Sequence, residues 1–167
     1  MSSSKSFARF ARQIAFIVGL AGIAGCGYAP IYGTHGSASD LMGSVSFNVD
    51  QTAEGYHLRE RLVERLGTPE AQAPNQLTVR IATSEKPVAI ASNDTTVRTT
   101  VTGTADYSFV NNAGETVATG SVRSFEGYSS LGSVVAINAA QQDAYERLSY
   151  SLADLIVAQI LTRTAGQ

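Results

Sequence analysis

Apolar and polar positions along the chain fall into short patterned segments separated by turn residues. Residues 44–49 alternate, with Val45, Phe47 and Val49 on one side, as in a half-buried strand. Leu58, Leu62, Val63 and Leu66 then recur at helical spacing over 54–66, with Arg59, Glu60, Glu64 and Arg65 facing water. Asp50 or Thr52 is placed to cap that helix, and Gly67 and Pro69 to stop it. From Gln76, Leu77, Val79 and Ile81 alternate with Thr78 and Arg80; Val88 and Ile90 continue the pattern, and Pro87 predicts a bend or bulge and an edge position. After a turn at 92–94 comes the clearest period-two stretch. Val97, Val101, Ala105, Tyr107 and Phe109 share one face; Thr96, Arg98, Thr100, Thr102, Thr104, Asp106 and Ser108 share the other.

Asn111-Asn112-Ala113-Gly114 predicts a hairpin turn, and 115–125 the returning strand. A turn centred on Asn112-Ala113 sets Arg98 across from Gly127 and Arg123 across from Thr102, and leaves open whether the two arginines share a face. Residues 126–137 read as a loop containing Tyr128, Leu131, Val134 and Val135. Asn138 and Gln141 predict a capping box for a long last helix ending near Thr164. Ala140, Ala144, Leu148, Leu152, Leu155, Ile156 and Ile160 form its apolar face. The order β-α-β-β-β-α predicts an α+β fold, a four-stranded, mostly antiparallel sheet with two helices packed on one face. The opposite face, with its threonine row and Arg98, is left to solvent or to a ligand.

The first 25 residues follow different rules. Lys5, Arg9 and Arg12 precede an apolar run over 14–24 with no acidic residue, which describes a secretory leader. The run is well short of the roughly 20 residues that span a membrane. Ile23-Ala24-Gly25-Cys26 resembles a bacterial lipobox, in which the cysteine thiol is diacylated, the leader removed and the new amine acylated. Cys26 is therefore the expected lipidation site, and several acyl chains on one residue anchor a protein stably without crossing the bilayer. Gly27 stands where, by the same resemblance, Asp would retain a lipoprotein at the inner membrane, which implies the outer membrane. The expected division is a signal peptide over 1–25, an acylated tether over 26–43 and a single α+β domain over 44–167. Tyr28, Ile31 and Tyr32 in the tether are suited to packing back on the domain or against a partner.

Composition narrows the function classes. The leader takes three of the 12 basic residues and none of the 14 acidic ones, leaving a net charge of −5 after it. That balance argues against a nucleic-acid partner. Cys26 is the one cysteine, so no intrachain disulfide forms. His35 and His57 are far apart and join no cluster at metal-ligand spacing. Nucleophile elbow, phosphate loop and Rossmann fingerprint are all absent from the sequence, and Glu60/Glu64 read as a solvated helix pair. The expectation is a non-enzyme without metal or cofactor.

Cys26-Gly27-Tyr28-Ala29-Pro30-Ile31-Tyr32-Gly33 resembles the mature N-terminus of the lipopolysaccharide-assembly lipoprotein family LptE. The order of elements and the long Ala/Leu-rich last helix agree with that family. The resemblance implies a subunit inside the lumen of a large outer-membrane β-barrel, LptD, the pair inserting lipopolysaccharide into the outer leaflet. Glycolipid phosphates would call for Arg or Lys. Arg80, Lys86, Arg98 and Arg123, on strands or their ends, are the candidates. Two other functions fit a lipid-anchored α+β domain: an auxiliary lipoprotein of a periplasmic phospholipid-transport complex, and a tethered enzyme, against which the missing catalytic motifs count.

Overall fold

In the computed structural model, residues 41–90 and 96–164 are described; Cys26, the leader and most of the expected tether lie outside them. The elements are β1 (Val45–Val49), α1 (Ala53–Leu66), β2 (Asn75–Ile90), β3 (Thr96–Val110), β4 (Thr116–Ser129) and α2 (Val134–Thr164). They form the expected α+β order. The strands lie in the order β1-β2-β3-β4, with β1 parallel to β2 and the other pairs antiparallel. A parallel pair needs a long crossover, and α1 supplies it.

Of the two cap candidates, Thr52 does the capping: its Oγ1 accepts the Gly55 N–H at 3.1 Å. Asp50 turns the other way. Its carboxylate accepts the Ile81 N–H at 2.9 Å and pairs with Arg80 at 3.0 Å, tying the end of β1 to β2. A side chain at Gly55 would place its Cβ 1.9 Å from the Asp50 carbonyl oxygen, so only glycine closes this strand-to-helix corner.

The hairpin between β3 and β4 is longer than the sequence suggests. The Asn111 side-chain oxygen accepts the N–H groups of Ala113 at 3.0 Å and Glu115 at 2.9 Å, and the Asn111 N–H bonds the Glu115 carbonyl. The connection therefore closes one residue later than a turn ending at Gly114. That moves the register by one, and a register shift between Phe109 and Val110 moves it by one more: Arg98 pairs with Ser129, not Gly127, and Arg123 with Thr104, not Thr102. A shift of two keeps every side chain on its expected face, where a shift of one would have reversed them. The predicted bend at Pro87 is present, as a register shift between Pro87 and Ala89.

Two boundaries after the hairpin also differ. β4 continues through residues expected to be loop, because Glu126 and Tyr128 remain paired with Val101 and Thr99. α2 begins at Val134, four residues before Asn138. Ser133 caps it, its Oγ accepting the Ala136 N–H at 3.3 Å and its carbonyl the Ile137 N–H at 3.0 Å. Val134 and Val135 are exposed, so the first turn carries no apolar stripe to announce it.

One core unites the elements. Ala144, Leu148, Leu152, Ile156 and Ile160 of α2 are buried with Leu58, Leu62 and Leu66 of α1 and with Val45, Leu77, Val79, Val101, Ala105 and Phe109 of the sheet. Leu155, expected on the apolar face of α2, is 40% exposed. At Gly103 a Cβ would come within 3.0 Å of both Leu148 and Leu152, so α2 packs directly on the β3 backbone. Polar ties set its angle. Ser124 and Ser151 share a 2.8 Å hydrogen bond, and Tyr107 donates to Gln159 at 2.6 Å. Asp154 accepts from both Arg61 and Arg65 of α1. No helix among the described residues is long and apolar enough to cross a membrane.

Candidate functional surface

α1 and α2 pack on one face of the sheet, and no other element among the described residues covers the opposite face. Side chains alternate along a strand, so residues paired with one another across strands share a face. Leu77, Val79, Val101, Ala105 and Phe109 mark the covered side. Arg80 pairs with Asp106, Lys86 with Thr100, Arg98 with Ser129 and Arg123 with Thr104. All of these positions have the opposite parity, so the four predicted basic residues lie together on the open face. The sequence left the relation of Arg98 to Arg123 undecided; the register settles it.

Sharing a face does not make one site. Thr104, the partner of Arg123, lies six residues along β3 from Arg98, about 20 Å at the usual strand rise. The two arginines are too far apart to hold a single phosphate. Lys86 is nearer to Arg98, diagonally placed across β2 and β3 through Thr100, a relation of about 7–8 Å. Lys86 and Arg123 border one shallow depression of about 410 Å³, lined also by Ala82, Thr83, Ser84, Glu85, Thr102 and Thr104. Ala82, Ser84, Thr102 and Thr104 are small, so an anion can approach the two cations without displacing a large side chain.

The four cations differ in how far they are committed. Arg80 is paired to Asp50. Among the described residues no ion pair involves Lys86, Arg98 or Arg123. Arg123 Nε donates to the Thr104 hydroxyl, at a long 3.3 Å. The Arg98 guanidinium lies against Gly127, where an added Cβ would stand 3.0 Å from Nη2. Three cations on this face thus form no ion pair among the described residues.

Phe125 occupies the same face opposite Thr102 and is 71% exposed. In the sequence it is the last residue of the strand expected over 115–125. Its spacing of two from Arg123 was the available signal, since that places both on one side. A second depression, of about 550 Å³, opens at the corner of β1 and α1 between Phe47, Asn48, Gln51, Tyr56 and Arg59. It is separate from the basic row. No group of three or more His, Cys, Asp or Glu that could hold a metal ion occurs among the described residues.

The fold has known relatives. A lipoprotein candidate from Caulobacter crescentus superposes with a TM-score of 0.58 at 24% identity, covering 77% of this chain and 96% of its own. The rare lipoprotein B of Shewanella oneidensis gives 0.56 at 9% identity, covering 73% and 96%. An uncharacterised lipoprotein B of Nitrosomonas europaea gives 0.54 at 9% identity, covering 74% and 88%. At these identities the likeness is one of fold. No curated protein sequence matches the chain. A family model does: the one described as LptE, lipopolysaccharide-assembly, matches residues 43–160, which takes in every strand and nearly all of α2. The chain belongs to the LptE lipopolysaccharide-assembly family.

Proposed function

We propose that the protein is an outer-membrane lipoprotein, acylated at Cys26, that sits in the lumen of the LptD β-barrel and supports the passage of lipopolysaccharide to the outer leaflet. The family match carries this reading. The surface chemistry supports it: a polar sheet face of Thr and Ser is suited to a polar barrel interior. A barrel wide enough for a glycolipid would leak unless filled, and a packed α+β domain fills it. The role asks for surfaces and anchoring rather than catalysis.

On this reading Lys86, Arg98 and Arg123 meet phosphate groups of the glycolipid, with Arg80 contributing less because Asp50 already holds it. The spacing of Arg98 and Arg123 suits two phosphates rather than one. Replacing Lys86, Arg98 and Arg123 together by Ala tests the assignment. Each exposed charge-assisted contact is worth on the order of 1 kcal/mol, so glycolipid affinity should fall at least about tenfold. Circular dichroism should stay native, because all three side chains are exposed. Unchanged affinity in a folded triple variant would refute the phosphate role.

A further inference from the structure

The sheet has two long edges, and they are built differently. Beyond Val79, whose partner is Val49, β2 has no strand on its outer side among the described residues. That edge is defended against pairing: Asp50 occupies the Ile81 N–H, Lys86 and Pro87 lie within it, and the register shift at Pro87 bends it. These are the devices by which proteins keep an exposed strand from recruiting another chain. β4, at the other edge, has one register shift, at Val117 beside the hairpin, and from Ala118 onward has none of them. It spans 14 residues, contains no Pro and no Lys, and keeps an unbroken register with β3 from Phe109 to Arg98. Among the described residues no backbone hydrogen bond reaches β4 apart from the β3 ladder. From Ala118 to Ser129, about 40 Å of undefended edge is left open.

The apolar residues around this edge are also exposed. Phe125 stands 71% exposed on the strand, and directly after it Leu131, Val134 and Val135 are 56%, 74% and 79% exposed. We infer that the outer edge of β4 takes an extended segment of a partner polypeptide as a fifth strand. That segment would set an apolar side chain against Phe125 and continue past Ser129 over Leu131, Val134 and Val135. Backbone pairing supplies the affinity in such additions, and alternate side chains supply the choice of partner.

A second copy of this chain fits less well. Two β4 strands pairing antiparallel about a twofold axis would set the Ser129 end of one beside the Thr116 end of the other. The exposed valines and Leu131 of each copy would then face the polar hairpin of its mate. A segment from a different chain covers the edge and the apolar cluster together. That the partner is the barrel subunit rests on the function proposed above; that β4 is the pairing edge rests on the strand itself.

The test is amide hydrogen exchange, resolved to single residues, on the full acylated protein captured with its barrel in detergent and on the same protein alone. In the complex, alternate N–H groups between Val117 and Gly127 should exchange at least about tenfold more slowly, since every second residue of an edge strand points outward. Residues 82–88 of β2 should not change. Phe125→Ser should lower the yield of complex while leaving the exchange of the isolated domain's core unaltered. A complex that forms with no slowing in β4 overturns the edge pairing and leaves the plug reading standing. A dimer of the protein alone with β4 already slowed overturns the choice of partner. Failure to form any complex with a barrel overturns both.

Discussion

Asp154 joins the two helices more tightly than any other single side chain in the described part of the molecule. Its carboxylate receives the Arg61 guanidinium at 2.9 and 3.0 Å and that of Arg65 at 2.8 and 3.1 Å. Burial at the helix interface opposes ionisation, but the bonds from Arg65 and Arg61 outweigh it and hold the carboxyl down at about 2. An ordinary aspartate titrates near 3.9. The folded value is the lower one, so the group's stabilising contribution is fully present above about pH 4 and is lost as the pH falls towards 2. Its side chain remains 35% exposed, so solvent screening keeps the contribution modest. Asp154→Asn should lower the urea midpoint at neutral pH and flatten its decline between pH 5 and 2. Equal acid sensitivity in both proteins would mean that the clamp is dispensable. Cys26 is decisive at the same scale for a different reason: its thiol is the atom expected to be acylated. Cys26→Ser should abolish incorporation of a fatty-acid analogue and cleavage of the leader; retained label would rule out the lipobox.

At the scale of elements, the start of α2 offers the sharpest check. Ser133, not Asn138, caps the helix, so Ser133→Ala should cost about 1 kcal/mol while Asn138→Ala, inside the helix, should cost little. Denaturant melts of the two variants would decide it, and the reverse order would restore the boundary read from the sequence. That misplacement is instructive. β3 was legible because Val101, Ala105, Tyr107 and Phe109 alternate with Thr and Ser against a buried face. The first turn of α2 was not, because Val134 and Val135 are apolar but exposed and so break the link between hydrophobicity and burial. The hairpin register was hidden for another reason: the Asn111 side chain closes a longer connection than its residue types advertise, and a register shift between Phe109 and Val110 adds one more residue. Parity alone placed Arg98 and the threonine row on the open face, and the two-residue register error did no harm to it. What parity cannot supply is separation along the strand, which divides the basic residues into contacts about 20 Å apart. The Asp154 clamp was equally out of reach, since its partners lie about ninety residues away in sequence.

At the scale of the whole molecule, each described surface has its own use. The helices and the covered sheet face make the core; the open face presents Lys86, Arg98 and Arg123; the β4 edge and the exposed residues after it remain for a partner. An enclosing lumen would cover several of these surfaces at once, and its contact should exceed the roughly 1,600 Å² of an ordinary protein interface. Acyl chains at Cys26 would raise the local concentration at the membrane without choosing that partner. A secreted form of residues 27–167 should therefore still associate with the barrel when both are exported, at reduced yield. The most direct measurement is affinity capture of the acylated protein from detergent-solubilised envelopes, with the mass of each co-purified chain identified. The account predicts one large outer-membrane β-barrel in equal amount. Capture of an inner-membrane phospholipid transporter, or recovery of the lipoprotein alone at every detergent tried, would contradict it.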